Sequence, residues 1–138
     1  MKYIVVEKLS KEQVQQLHCL YQEEWWTKGR TLEDVKKMLE HSDITVGLCE
    51  EKTNELIGFT RVLTDRVYKA LILDVIVKED YRGHELGKVL MDLVVNHPHL
   101  VGVKHFELYC RPEMVKFYEK WGFTIDLGEM KFMRKVRE

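Results

Sequence analysis

Apolar residues along this chain recur at two spacings, and each spacing marks a kind of element. Residues 2–6 form a short apolar run that reads as a first strand. Ser10-Lys11-Glu12-Gln13 has the form of a capping box, in which Ser10 caps N–H groups and Gln13 reaches back. Val14, Leu17, Leu20 and Tyr21 then fall on one face of a helix, and Thr31 opens a second helix with Leu32, Val35, Met38 and Leu39 inward. Ile44, Val46 and Leu48 alternate as a half-buried strand does; a polar turn at residues 50–54 joins them to a strand over 56–63, which predicts a hairpin. Residues 70–77, ALILDVIV, are apolar on both faces apart from Asp74, as in a central strand covered on both sides. Leu86, Val89, Leu90, Leu93 and Val94 give a strong amphipathic helix, ending near 96–98. Residues 106–110 supply the next strand, so strand, helix and strand imply a parallel pair with a right-handed crossover. Pro112 suits the first turn of a last helix, with Met114, Phe117, Tyr118 and Trp121 as its inner stripe and Gly122 at its end. Residues 123–127 and 130–136 read as a closing hairpin around Gly128.

The segment that carries chemistry is KEDYRGHELG, residues 78–87. It lies between the apolar strand and the amphipathic helix. A strand-to-helix turn of this kind aims unpaired backbone N–H groups at one spot, and the helix dipole makes that spot favour phosphate. Gly83 and Gly87 allow close approach of the backbone to a bulky anion, and Arg82 adds a positive fork. The same features also occur in ordinary strand-to-helix turns. A Walker A reading fails, because Gly87-Lys88 is followed by Val89. A dinucleotide fold fails on glycine spacing and position.

Arg82-Gly83-His84-Glu85-Leu86-Gly87 resembles motif A of the GNAT acetyltransferase superfamily, and Phe117-Tyr118-Glu119-Lys120-Trp121-Gly122-Phe123 looks like that family's LYEKxGF helix end. The spacing between the two fits one helix and one strand. The resemblance implies an α/β fold: a mixed central sheet with helices on both faces, in one domain over residues 1–138. It implies acetyl-CoA as cosubstrate and a primary amine as acceptor. In that family two parallel strands splay apart and the pantetheine arm lies in the gap. Carried onto this chain, Val75, Ile76 and Val77 pair with the pantetheine amides, with the Ile76 N–H polarising the thioester carbonyl. Arg82, Gly83, His84, Glu85, Leu86, Gly87 and Lys88 hold the pyrophosphate, and Phe117 borders the cofactor. The chain departs from the family twice. Glu85 stands where glycine is usual, and its side chain is expected to point to solvent. Arg111, followed by Pro112, stands where many members have a cofactor-binding asparagine; an arginine there could still reach a phosphate.

Composition narrows the setting. The 138 residues carry 22 Lys and Arg against 23 Asp and Glu, for a net charge of −1. That balance argues against a general nucleic-acid or anionic-membrane binder. Cys19, Cys49 and Cys110 are widely spaced and odd in number, which reads as reduced thiols in a cytoplasmic protein. The opening MKYIVVEKLS is too soon charged for a signal peptide, and no apolar run approaches membrane-spanning length. His97, His99 and His105 lack a third ligand at metal-binding spacing, so no metal site is expected. A monomer or a homodimer both fit.

Each remaining candidate has two readings. Periodicity alone makes Tyr118 a core residue; the resemblance makes it the acid that protonates the departing thiolate. Asp74 is either satisfied by an arginine, by backbone or at a bulge, or it is the base that accepts the amine proton, a role for which Asp65 and ordered water compete. At least one of Trp25 and Trp26 is expected to pack in the core and the other, Trp26, to line the acceptor cleft. Arg61 either faces solvent or holds an acceptor carboxylate, with Asp65 nearby in the next loop. Two further readings stand beside a small-molecule N-acetyltransferase: a CoA-binding regulatory module without turnover, and an acetyltransferase acting on protein or charged tRNA.

Overall fold

The computed structural model describes residues 2–137, which gather into two compact units, Met1–Glu107 and Leu108–Glu138. The first unit holds a five-stranded sheet in the order β1-β2-β3-β4-β5. Its strands are β1 (Tyr3–Val6), β2 (Ile44–Glu50), β3 (Leu56–Thr64), β4 (Lys69–Val77) and β5 (His105–Glu107). The first four run antiparallel to their neighbours, and β5 runs parallel to β4. The sheet is mixed, as expected.

Helices cover both faces. Helix α1 (Lys11–Glu23) begins at the expected capping box: Ser10 Oγ accepts from the Gln13 N–H, and Gln13 Oε1 accepts from the Ser10 N–H. Helix α2 (Leu32–His41) is capped by Thr31. Leu17, Leu20, Tyr21 and Val35 of these helices pack with Cys49, Leu56, Phe59 and Ile76 of the sheet. Tyr21 and Phe59 meet edge to face, with centroids 6.5 Å apart. Helix α3 (Leu86–Val95) takes the opposite face and buries Leu86, Leu90, Met91 and Val94. Its flank, Val89 and Leu93, lines a cleft of about 510 Å³ with Val5 and Val46.

Strand β4 serves both cores through a β-bulge. Val62 pairs with Ile72 and Arg61 with Leu73, yet Phe59 pairs with Ile76. One extra residue therefore sits on β4, and Asp74 marks it with a φ of 57°. An inserted residue reverses which face the following side chains take. Ile76 is thereby turned into the α1–α2 core.

A carboxylate at a bulge inside an apolar strand must be satisfied. Asp74 Oδ2 accepts from the Tyr21 hydroxyl at 2.9 Å, Arg30 Nη1 at 2.8 Å and Arg61 Nε at 2.8 Å. Arg30 Nη2 lies 3.4 Å from Oδ1, and its guanidinium stacks 4.6 Å over the Tyr21 ring. One side chain thus ties α1, the α1–α2 connection, β3 and β4 together.

The second unit departs from expectation. Leu108 onward is not strand, so the pairing predicted for 106–110 stops at Glu107. A short helical turn at Pro112–Met114 leads into α4 (Val115–Glu119). Of the predicted inner stripe only Tyr118 is buried; Met114 is exposed and Phe117 and Trp121 are intermediate. The closing hairpin is absent: residues 123–137 contain no strand. Local side-chain bonds take backbone donors that a ladder would need. Thr124 Oγ1 accepts from the Asp126 N–H, and Asp126 Oδ1 from the Gly128 N–H.

The clamp on Asp74 should govern stability. Tyr21→Phe removes one charge-assisted hydrogen bond and should cost about 1.5–3 kcal/mol in urea unfolding; a change under roughly 0.5 kcal/mol would show that the carboxylate does not depend on Tyr21. Burial opposes the charge of Asp74, but the bonds and charges of Arg30 and Arg61 outweigh it and hold the carboxyl below its ordinary 3.8. The clamp's contribution is therefore complete above that value and is lost as pH falls through the lower folded value. Asp74→Asn should flatten the acid limb of stability against pH; an unchanged acid limb would assign it to other carboxyls.

Candidate functional site

The site is built around the end of β4. The β4–β5 ladder runs Lys69↔His105, Ala70↔Phe106 and Leu71↔Glu107, and stops there. Beyond Leu71, β4 continues to Val77 with no β5 partner on that edge. Its other edge stays paired, with Phe59↔Ile76 and Gly58↔Val77. The strand is thus fixed on one side and open on the other along Val75, Ile76 and Val77, the residues expected to meet the pantetheine amides.

After β4 a short helical turn, Glu79–Tyr81, leads to the glycine segment. None of the backbone N–H groups of residues 83–88 donates a hydrogen bond to the described residues. The first helical bond at this end is from the Val89 N–H to the Glu85 carbonyl, at 3.1 Å. A run of unpaired donors at the start of a ten-residue helix is what a pyrophosphate requires.

Two residues in this turn lie at positive φ. Gly83 has a φ of 85°, and a Cβ built there would meet nothing within 4 Å, so the constraint is conformational rather than steric. Glu85 is the N-cap of α3 with φ 61° and ψ 23°. The backbone here is left-handed, which explains physically why glycine suits this position. The Glu85 side chain makes no capping bond and the residue is exposed. His84 is exposed as well.

The cationic side chains expected at the phosphate have other partners. Arg82 donates from Nε to the Val77 carbonyl at 3.1 Å and pairs through Nη2 with Glu24 at 2.7 Å. Lys88 pairs with Asp92 at 2.9 Å, one helical turn on. The unpaired donors at this turn are therefore backbone groups, and both cationic side chains already share their charge with a carboxylate.

Around Asp74 the structure matches the first of its two readings, an aspartate satisfied by arginine at a bulge. Asp74 was a candidate base, but its lone pairs face a hydroxyl and two guanidinium groups and its carboxyl is held below the usual range. It is a poor proton acceptor and a good structural anion. Tyr21 shares the burial; burial and the adjacent carboxylate raise its pKa, so it stays a donor. Arg30 was not singled out in the sequence, although it closes the loop after the paired tryptophans. Arg61 does not face solvent; it is turned in to Asp74, with a side chain 13% exposed. Asp65 organises the β3–β4 turn, its Oδ1 accepting from the N–H groups of Val67, Tyr68 and Lys69. The tryptophans reverse expectation. Trp25 is 69% and Trp26 42% exposed, and neither packs in the core. The residue that anchors this loop is Thr27, buried, with its hydroxyl on the Tyr21 carbonyl at 2.8 Å.

In the second unit, Tyr118 is buried, and Phe117 packs on it edge to face with centroids 5.0 Å apart. Burial, with a smaller effect from Cys110, pushes the Tyr118 hydroxyl up to about 12. It is fully protonated at neutral pH. Arg111 is exposed and pairs with Glu113 at 3.0 Å. His97 bonds Glu7 at 2.8 Å and meets His99 edge to face with centroids 5.0 Å apart, while His105 lies 3.1 Å from Lys69 Nζ.

The comparisons with known proteins agree with this architecture. The model of the "Acetyltransferase (GNAT) family" matches residues 11–123, and the chain belongs to that family. An "Uncharacterized N-acetyltransferase ycf52" of Porphyra purpurea is 34% identical over 110 residues, which are 78% of this chain. "Serotonin N-acetyltransferase 2, chloroplastic" of Oryza sativa subsp. japonica is 30% identical over 110 residues, again 78% of the chain. The chain spans 63% and 55% of the length of these two curated relatives. Among solved structures, a putative GNAT acetyltransferase from Xanthomonas campestris pv. campestris superposes with a TM-score of 0.84 at 27% identity, covering 99% of this chain and 94% of that one.

Substitutions at the two left-handed positions should have opposite outcomes. Gly83→Ala should lower stability by about 1–2 kcal/mol, the cost of an L residue in that region. Glu85→Gly relieves a similar strain while adding unfolded-state freedom of about 0.5–1 kcal/mol, so it should be neutral to stabilising. Chemical denaturation of both variants tests this, and a clear loss in Glu85→Gly would mean that the side chain supports the turn.

Proposed function

We propose that this chain is an N-acetyltransferase that moves an acetyl group from acetyl-CoA to the primary amine of a small molecule. The observation that carries the reading is the run of unpaired N–H groups over 83–88, directly after a strand whose parallel ladder ends at Leu71. Membership of the GNAT family supports it. The name of the rice relative, a serotonin N-acetyltransferase, supports a small primary amine as acceptor class.

The pyrophosphate binds the N–H groups of Gly83, His84, Glu85, Leu86, Gly87 and Lys88, and Arg82 swings from Glu24 to join it. The pantetheine amides add as a strand along Val75, Ile76 and Val77. The Ile76 N–H polarises the thioester carbonyl. The free amine attacks the carbonyl carbon, the C–S bond breaks, and the products are an amide and the CoA thiol. Tyr118, protonated at neutral pH, gives its proton to the departing thiolate. The nitrogen loses its extra proton to water, since Asp74 is engaged as a structural anion. Phe117 and Arg111 complete the cofactor's surroundings in this reading, and Trp26 lines the acceptor side. The exposed free thiols Cys19 and Cys110 support a reducing compartment such as the cytoplasm.

Acetyl-CoA should raise the melting temperature, because it binds only the native chain. No shift at millimolar acetyl-CoA would sink the assignment. Gly83→Val should remove most of the shift. Glu85→Gln should change affinity by less than roughly tenfold if the exposed carboxylate points to solvent as expected, and a much larger gain would place it against the phosphates.

Tyr118→Phe should bind acetyl-CoA and melt nearly as the parent does, while kcat falls by roughly 10²–10⁴-fold with little change in KM. A stable, fully active variant would remove Tyr118 from the mechanism.

A further inference from the structure

Two guanidinium groups converge on one buried carboxylate beside the open segment of β4, and the count of charges does not close. Asp74 contributes one negative charge, and Arg30 and Arg61 one positive charge each. Asp74 is heavily engaged: Oδ2 takes three donors and Oδ1 a longer fourth at 3.4 Å. It cannot neutralise the second arginine further. The cluster therefore carries one uncompensated positive charge in a largely buried setting, where such a charge is strong.

The donors do not close either. Arg61 uses only Nε on Asp74, and its two Nη groups make no hydrogen bond to the described residues. No buried side-chain nitrogen or oxygen among the described residues is left unsatisfied, so these Nη groups reach solvent. Arg30 is 31% exposed on the same carboxylate. The fork of Arg61 is held by Asp74, and the plane of Arg30 by Asp74 and the Tyr21 ring. A guanidinium fixed in this way loses little freedom when it binds a second oxyanion. Paired Nη groups suit a carboxylate or a phosphate through two parallel bonds. Asp74 immediately precedes Val75, so the cluster sits next to the segment along which the thioester is expected. A net positive charge there repels cationic acceptors such as polyamines.

We infer that Arg61, with Arg30 beside it, forms an oxyanion subsite for the acceptor, so the preferred substrate is a primary amine that also bears a carboxylate or phosphate. This rests on the acetyltransferase reading and names its substrate class. Arg30 and Arg61 are specificity residues, and Asp74 and Tyr21 position them.

The test compares matched acceptors on the native chain: a series of ω-amino carboxylates of increasing length, the corresponding carboxamides and the corresponding aminoalkyl phosphates. Thiol release gives kcat/KM, and thermal shift in the presence of CoA gives binding without turnover. The carboxylate or the phosphate should exceed the carboxamide by at least roughly tenfold in kcat/KM, mainly through KM. Whichever of the two anions gains more identifies the source of the oxyanion. Arg61→Gln should narrow that ratio to below about threefold, and Arg61→Lys should restore part of it, since the charge returns without the fork. Equal binding and equal kcat/KM for charged and neutral acceptors on the native chain would overturn the proposal, without relying on any variant folding. So would an unchanged preference in a cooperatively melting Arg61→Gln. Anion-selective binding with no thiol release from any acceptor would support the subsite and overturn the acetyl-transfer reading alone.

Discussion

Burying one carboxylate in the middle of β4 constrains most of this molecule. Asp74 lies at a bulge with a positive φ, a conformation that costs free energy for any residue with a side chain. Its stability comes from outside the strand. Tyr21 reaches from α1, Arg30 from the α1–α2 connection and Arg61 from β3. Removing the bulge would turn Ile76 out of the core it shares with Leu17, Tyr21 and Phe59. The polar clamp and the apolar core are thus one design: the clamp sets the register shift, and the shift lets a single strand serve two cores.

The same arrangement determines which groups are left for a ligand. A parallel ladder that stops at Leu71 leaves backbone without a strand partner, and the turn after Val77 leaves the N–H groups of 83–88 unpaired. These donors are fixed by the helix and by left-handed residues, not by side-chain charges. Arg82 and Lys88, the obvious cations in the sequence, are paired with Glu24 and Asp92. The pairs are exposed on at least one side, where an ion pair is worth about 0–1 kcal/mol. In the proposed reading a pyrophosphate would compete for these side chains against weak partners, while the backbone donors would need no rearrangement.

The sequence disclosed the parts of this that local rules govern. The capping box at Ser10, the helix with Leu86, Leu90 and Val94 inward, the hairpin of β2 and β3 and the parallel crossover all follow from periodicity and caps. The strand-to-helix turn was legible because glycine and arginine sit between two strong patterns. What could not be read depends on partners distant in the chain. Arg30 lies 44 residues from Asp74, and no local pattern joins them. The expectation that a tryptophan packs at the end of α1 overlooked Thr27, whose small polar side chain closes the loop from inside. The hairpin expected after Gly122 has a suitable apolar alternation, but a strand forms only where a ladder partner exists. Ile125, Leu127, Met130 and Phe132 remain exposed, and the local turns at Thr124 and Asp126 take the backbone instead.

A near-neutral chain can still present two anion-seeking places, because the two arise from different physics. The donors at 83–88 favour an anion through dipoles, which add nothing to the formal charge of −1. The cluster at Asp74 attracts an oxyanion with guanidinium groups, but its buried aspartate cancels one of the two, so composition registers only a single surplus charge. Acidic side chains elsewhere hide even that. Net charge argues well against broad polyanion surfaces and says little about sites of this size, where the number of unpaired donors decides. The two places also differ in the kind of donor. The donors over 83–88 are backbone groups set by the start of α3 and two left-handed residues. Arg61 is a side chain held by a carboxylate that is itself held by Arg30 and Tyr21.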